Sequence, residues 1–171
     1  MIPLLRLLIP VVVAASPELV SQGNDFLQQQ KIQQLQQTRK CFGCNLSKVN
    51  FAGANLEGVD LGSTDLQGAN LKNANLRNAN LKWADLRNAN LQGADLTGAD
   101  LKSTMLVDAD LQGANLEASN LDRTDLRNAN LSRANLIKAS RPKNLQNSPS
   151  VTLCQTILPN GIISSRDCQR Q

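Results

Sequence analysis

The sequence predicts an all-β solenoid, a four-sided β-helix whose coils are twenty residues long. Three observations carry that prediction. From Leu46 to Leu136 every fifth residue is Leu, with Phe51 the one exception, so nineteen positions stand in unbroken register. A small residue as a rule stands two places before each of them and Asn or Asp one place before, as in Ala69-Asn70-Leu71 and Ala94-Asp95-Leu96. The two places that follow carry Gly53, Gly58, Gly68, Gly93, Gly98 and Gly113 together with Asn73, Asn78, Asn88 and Asn128, residues that tolerate unusual turn dihedrals.

In chain order, residues 1–15 read as a secretory signal. Arg6 precedes an apolar run from Leu7 to Val13, and Ala14-Ala15 offers a cleavage site after Ala15. The run is shorter than the ~20 residues that cross a bilayer, so no stable membrane span is expected once the signal is removed. Residues 16–43 form a linker and an amino-terminal cap. Asn24 is placed to cap a helix from Asp25 to about Lys40, with Phe26, Leu27, Ile32 and Leu35 available to cover the first coil. The Gln residues between Gln28 and Gln37 read as a solvated face.

Residues 44–138 form the repeat array. A period of five suits neither regular element: a helix would rotate by about 140° between successive Leu, and an unbroken strand would flip Leu to the opposite face each time. The chain must change direction within each unit. A three-residue extended piece points the small residue and Leu inward and the intervening Asn or Asp outward, and the remaining two residues turn a corner. Four corners close a square, so each Leu lies over the Leu twenty residues on, at about the 4.7–4.9 Å inter-strand spacing. One buried Leu contributes about 2 kcal/mol, so such a ladder is an ample core with almost no aromatic residues.

The tandem Ala-(Asn/Asp)-Leu-x-x of this segment resembles the pentapeptide-repeat family. The resemblance implies a right-handed, four-sided β-helix and covers a little over half of the chain. It implies little about function, because a solenoid is a surface on which sites are placed separately.

Residues 139–171 form a linker and a second cap. Ser140-Arg141-Pro142 breaks the register, and Ile157-Leu158-Pro159-Asn160-Gly161-Ile162-Ile163 carries a tight-turn signal between apolar pairs. A hairpin there would bring Cys154 near Cys168. The four cysteines agree with export, and the expected disulfides are Cys41 with Cys44 and Cys154 with Cys168. Crossed pairings stay open, since residues 140–153 are long enough for the tail to return along the coil. The paired cysteines at both flanks resemble exported cyanobacterial and plastid-lumen members of the family, which places the protein in the periplasm or thylakoid lumen.

Function is far less legible. There is no His, no Tyr and no phosphate-binding glycine loop, so no catalytic constellation emerges and no cofactor or metal is expected. Stacking every twentieth residue aligns Asn45, Asp65, Asp85, Met105 and Asp125, and likewise Asp60, Asn80, Asp100 and Asn120; these read as solvated side chains and Asn ladders rather than a cation site. Two irregularities mark candidate partner contacts. Trp83, the sole Trp, falls on a corner with Lys82, Lys102 and Arg123 on the same side. Met105 replaces the usual Asn or Asp, and Val107 takes an outward corner. The expected function is a non-catalytic exported scaffold or protein-interaction module, a monomer or an end-to-end homodimer. A thiol-disulfide redox role for Cys41 and Cys44 lacks the usual βαβ setting, and zinc binding by the four cysteines lacks suitable spacing. A DNA-mimicking topoisomerase inhibitor, known within the family, needs a strongly acidic surface, whereas residues 44–138 hold ten Lys or Arg against eleven Asp or Glu and the whole chain carries +4. Nucleic-acid binding is not expected, as no basic run is present.

Overall fold

Each coil is closed by the backbone of the next. The computed structural model describes residues 30, 32–35, 37–140, 145 and 150–169; the signal segment 1–15 and Asn24, Phe26 and Leu27 lie outside the described residues. Parallel bridges join the outward residues from Lys40 to Asn115 each to the one twenty further on, as in Asn45 with Asp65, Asp65 with Asp85, Asp85 with Met105 and Met105 with Asp125. This column is side 1. The columns beginning at Asn50, Asn55 and Lys40 are sides 2, 3 and 4, so side 4 runs Lys40, Asp60, Asn80, Asp100, Asn120.

The corners show why the unit has five residues. The N–H of the small residue donates to the carbonyl of the preceding Leu, as from Ala74 to Leu71 at 3.0 Å, and closes a four-residue turn. The third residue of the turn lies at positive φ, from 53° at Ser63 to 68° at Gly113, the requirement of a type II turn. The outward Asn or Asp completes the corner. Its Oδ1 accepts the N–H two residues on, as Asn75 does from Arg77 at 3.2 Å and Asp110 from Gln112 at 3.0 Å. These side chains also form ladders, with Asn70 Nδ2 donating to Asn50 Oδ1 at 3.0 Å and Asn135 to Asn115 at 3.1 Å. They are therefore turn braces as well as the solvated face read from the sequence, a local role that five-residue periodicity does not reveal.

The interior is filled by stacked Leu side chains, all buried from Leu46 to Leu136 together with Phe51, and is lined by the small residues. Where Thr takes the small slot its hydroxyl finds a carbonyl of the preceding coil: Thr64 donates to Cys41, Thr104 to Leu81 and Thr124 to Leu101, at 2.6–2.8 Å. Ser119, in the same slot on side 4, is buried and its hydroxyl makes no hydrogen bond. Ala, which brings no hydroxyl, is the usual occupant of the slot.

The solenoid extends past both limits read from the sequence. At the start, Lys40 already bridges Asp60, and buried Cys41 takes an inward position held elsewhere by Leu. The chain is helical at residues 30, 32–35 and 37–38, with Leu35 buried and Ile32 half-buried over the first coil. At the other end Thr152 bridges Asn130 and Ile157 bridges Asn135, a spacing of 22 instead of 20. The register break thus shifts the frame by two residues and the coil resumes, with Val151, Leu153, Thr156 and Leu158 buried. Thr156 repeats the inward-threonine bond, donating to Leu131 at 2.6 Å. The strand β1 (Thr156–Ile157) pairs antiparallel with β2 (Ile163–Ser164) through the Pro159-Asn160-Gly161 loop, where Gly161 has φ 80°. β2 covers the edge that β1 would otherwise leave open.

Replacing Ser119 with Ala is expected to raise the unfolding free energy by about 1 kcal/mol, because it removes a buried hydroxyl without a partner. Urea unfolding checks this; a loss of stability would show that the hydroxyl is satisfied in solution.

Candidate functional site

Of the nineteen units, eighteen carry the bond from the outward Asn or Asp to the corner N–H. The exception is Met105, whose thioether cannot brace the N–H of Val107. Met105 is also exposed, which is uncommon for so apolar a side chain on this surface. The same locality holds a second departure. Trp83 occupies a left-handed corner position, φ 57°, that Gly or Asn fills in most units, and it is 57 % exposed. A bulky side chain at positive φ is strained.

The register brings these departures together. Trp83 sits on the edge between sides 4 and 1, and Met105 lies on side 1 one coil further along. Lys82 and Lys102 occupy the same edge, as does Arg123 two coils beyond Trp83. Lys82 is engaged with Asp100 at 2.9 Å. Val107 stands at the next corner, between sides 1 and 2, and is half-buried, so it borders the patch rather than leading it. Sequence reading missed Phe42, which is 64 % exposed at the start of the same edge. Its ring lies over Gly62, where a Cβ would come within 2.9 Å of it. Counting back one further unit from Ser47 places Phe42 on a corner, and that signal was present in the sequence. Both exposed aromatic residues among those described therefore share one edge of four.

The paired cysteines lie apart from this patch in kind. Cys41 and Cys44 bridge the first corner of the same edge with Cα atoms 5.5 Å apart, and Cys154 and Cys168 hold the carboxy-terminal segment to the last coil with Cα atoms 4.7 Å apart. Near the latter, Arg166 donates to the Val151 carbonyl and pairs with Asp167. Among the described residues no three His, Cys, Asp or Glu side chains converge as a metal site, and no helix is long and apolar enough to cross a membrane.

The flanking carboxylates are committed to structure. Partial burial opposes the charged form of Asp85, but bonds from the Arg87 side chain and N–H outweigh it and its pKa falls. Asp95 follows the same pattern, with burial outweighed by the Thr97 hydroxyl and N–H and by Arg77. At Asp125 the Arg127 guanidinium is the leading cause of the lowering. Arg87 and Arg127 are raised in return by the carboxylates they hold.

A family model for pentapeptide repeats matches residues 44–82, 64–103, 79–117 and 109–140, together more than half of the chain. The chain belongs to the pentapeptide-repeat family. Its coil is accordingly the right-handed quadrilateral β-helix of that family. Among solved structures, a pentapeptide repeat protein of the Arabidopsis thaliana thylakoid lumen is 32 % identical, with a TM-score of 0.57 over 59 % of this chain and 70 % of its own. The pentapeptide repeat protein Rfr23 of the cyanobacterium Cyanothece 51142 is 30 % identical over 77 % of this chain and 95 % of its own, with a TM-score of 0.39. HetL of Nostoc sp. strain PCC 7120, a pentapeptide repeat protein involved in heterocyst differentiation regulation, is 30 % identical over 73 % of this chain and 60 % of its own, with a TM-score of 0.37. No curated protein matches the chain at a significant level. Pentapeptide-repeat proteins are in general non-enzymatic structural or interaction modules.

The lowered carboxylates make stability acid-sensitive. Because the folded pKa values of Asp85, Asp95 and Asp125 lie below the ordinary 3.8, the unfolded chain binds more protons as pH falls. Their contribution is complete well above that value and is lost as pH drops through the folded values. Melting temperature should therefore stay level from neutrality to about pH 5 and fall below about pH 4. Asn at 85 and 125 keeps the corner bond and removes the titration, so this double variant should show a shallower acid limb in thermal melts; an unchanged limb would contradict the assignment.

Proposed function

We propose that this protein is a non-catalytic exported interaction module, stapled at each end by a disulfide, and that the edge between sides 4 and 1 is its contact surface. The observation that carries the reading is the coincidence of three costs on one edge and the side beside it. Met105 forgoes a brace that the other eighteen units make, Trp83 holds an indole in a left-handed corner, and Phe42 leaves a ring in water. Packing within the solenoid requires neither Trp83 nor Met105, and Phe42, whose ring covers Gly62, still leaves most of its surface in water. Exposed aromatic and Met side chains beside cations are what recognition surfaces use.

Export is supported by the amino-terminal Arg6 and Leu7–Val13 pattern, by the even number of cysteines and by the likeness to the thylakoid-lumen protein of Arabidopsis. The periplasm and the thylakoid lumen are the two compartments this reading admits. The disulfides Cys41–Cys44 and Cys154–Cys168 then serve as fasteners of the two ends of an open solenoid, where core and strand edges are otherwise exposed. A topoisomerase-directed role draws no support from the nearly neutral repeat surface.

Two experiments test this reading. The double variant Trp83→Asn, Met105→Asn should be more stable than the parent by about 1 kcal/mol, since Asn suits the left-handed corner and restores the missing brace. The same variant should lose the complex that the parent forms in its native compartment, followed by size-exclusion chromatography. A less stable variant, or an unaltered complex, would mean the two side chains serve the fold. Mass spectrometry of the natively sourced protein should give a chain that starts near Ser16 with both disulfides formed; an uncleaved chain with four free thiols would contradict export.

A further inference from the structure

We propose that the notch over Ser103, walled by Trp83 and Arg123, receives an acidic side chain from an extended segment of a partner protein. The proposal rests on the reading of this edge as the contact surface and adds the chemistry of what it contacts. Trp83, Ser103 and Arg123 succeed one another at the third position of stacked corners. Bonds from Trp83 N–H to the Lys102 carbonyl at 3.1 Å and from Ser103 N–H to the Asp122 carbonyl at 2.8 Å hold the stack. Their φ values are 57°, 58° and 57°, so their side chains leave the backbone in parallel. Trp83 and Arg123 are thus two coil rises apart, roughly 9.6 Å, with only a hydroxymethyl between them. An indole face on one side and a guanidinium on the other suit a Glu: its methylenes pack on the ring and its carboxylate takes a bidentate bond from Arg123.

Part of the charge on this edge is uncompensated within the chain. Lys82 reaches the carboxylate eighteen residues on, Asp100, and Arg77 does the same with Asp95. The equivalent position for Lys102 is Asn120, so the cation next to the notch lacks the counter-ion that Lys82 and Arg77 have. The ion pairs formed among the described residues include neither Lys102 nor Arg123, and Asp122, the one carboxylate on the edge, joins neither. Exposed Arg123 and half-buried Lys102 therefore stand unpaired beside an exposed indole, an arrangement complementary to an acidic partner. From Phe42 to Arg123 the edge spans four rises, about 19 Å, which matches some six residues of extended chain. Phe42 and Met105 supply the apolar contacts along it. A free anion would use the notch but leave those two side chains in water, so the occupant is a peptide.

Trp83 is the only Trp in the chain, so its emission reports on the notch directly. The full chain, titrated with the acetylated hexapeptide Glu-Leu-Glu-Phe-Glu-Glu, should show a saturable change in emission that weakens as salt rises. Lys102→Gln and Arg123→Gln should each reduce affinity by about tenfold, the equivalent of about 1.4 kcal/mol. Lys72→Gln, on the edge between sides 2 and 3, should leave affinity unchanged. Absence of a response at millimolar peptide, an equal response to the counterpart with Lys in place of Glu, or unaltered binding by both Gln variants would overturn the proposal. So would an equal response to free glutamate or to anionic phospholipid vesicles. If the peptide fails while Trp83→Asn, Met105→Asn still costs the protein its native complex, the acidic class falls and the contact edge stands.

Discussion

Everything in this fold depends on the stacking of each residue upon the one twenty places later. That constraint sets the corner geometry, since four turns must return the chain to its starting direction after a fixed length. It also sets the core, because a Leu column is continuous only if every coil repeats the same inward positions. The outward Asn or Asp is the least obvious participant. It faces solvent, yet its Oδ1 accepts the corner N–H and its amide, where present, bridges to the coil below. One residue type thus serves the turn and the stack together.

The constraint also converts sequence departures into surface geography. A substitution in a globular domain perturbs a unique environment, whereas here the same slot recurs nineteen times and each departure can be read against its equivalents. Ser119 departs inward and leaves a hydroxyl unpaired. Met105 and Trp83 depart outward and leave apolar surface in water. The first is drift that the core tolerates; the others accumulate on one edge, together with Phe42. Selection for stability alone would disfavour such accumulation, because Gly, Asn or Asp at these positions braces or relaxes the corner.

Much of the fold was legible because its signals are local and repeated. The inward Leu column, the twenty-residue coil and the turn around Pro159-Asn160-Gly161 all follow from spacing and from residues with restricted or permissive dihedrals. The extension of the coil through Val151–Leu158 was not legible, since a two-residue shift within a polar linker hides the register and Thr156 and Ile157 do not resemble the Ala-Asn motif. Of the candidate site, Trp83 and Met105 stand out as exceptions to the repeat, and the twenty-residue register places Lys82, Lys102 and Arg123 beside Trp83. Phe42 was not legible, because Cys41 and Cys44 replace the Leu and the small residue that mark a unit, and the ring's position over Gly62 is a tertiary fact.

These features describe a square solenoid, one edge of which carries the proposed contact surface. The proposed role is recognition, consistent with a family whose members share a backbone and differ in surface. The most direct measurement of that central claim is photocrosslinking in the native compartment with a photoreactive amino acid placed in turn at positions 83, 78 and 88, which lie at equivalent corners of three successive edges. The account predicts adducts to one partner from position 83 and none from 78 or 88. Equal labelling from all three positions, or labelling from 78 or 88 alone, would contradict it.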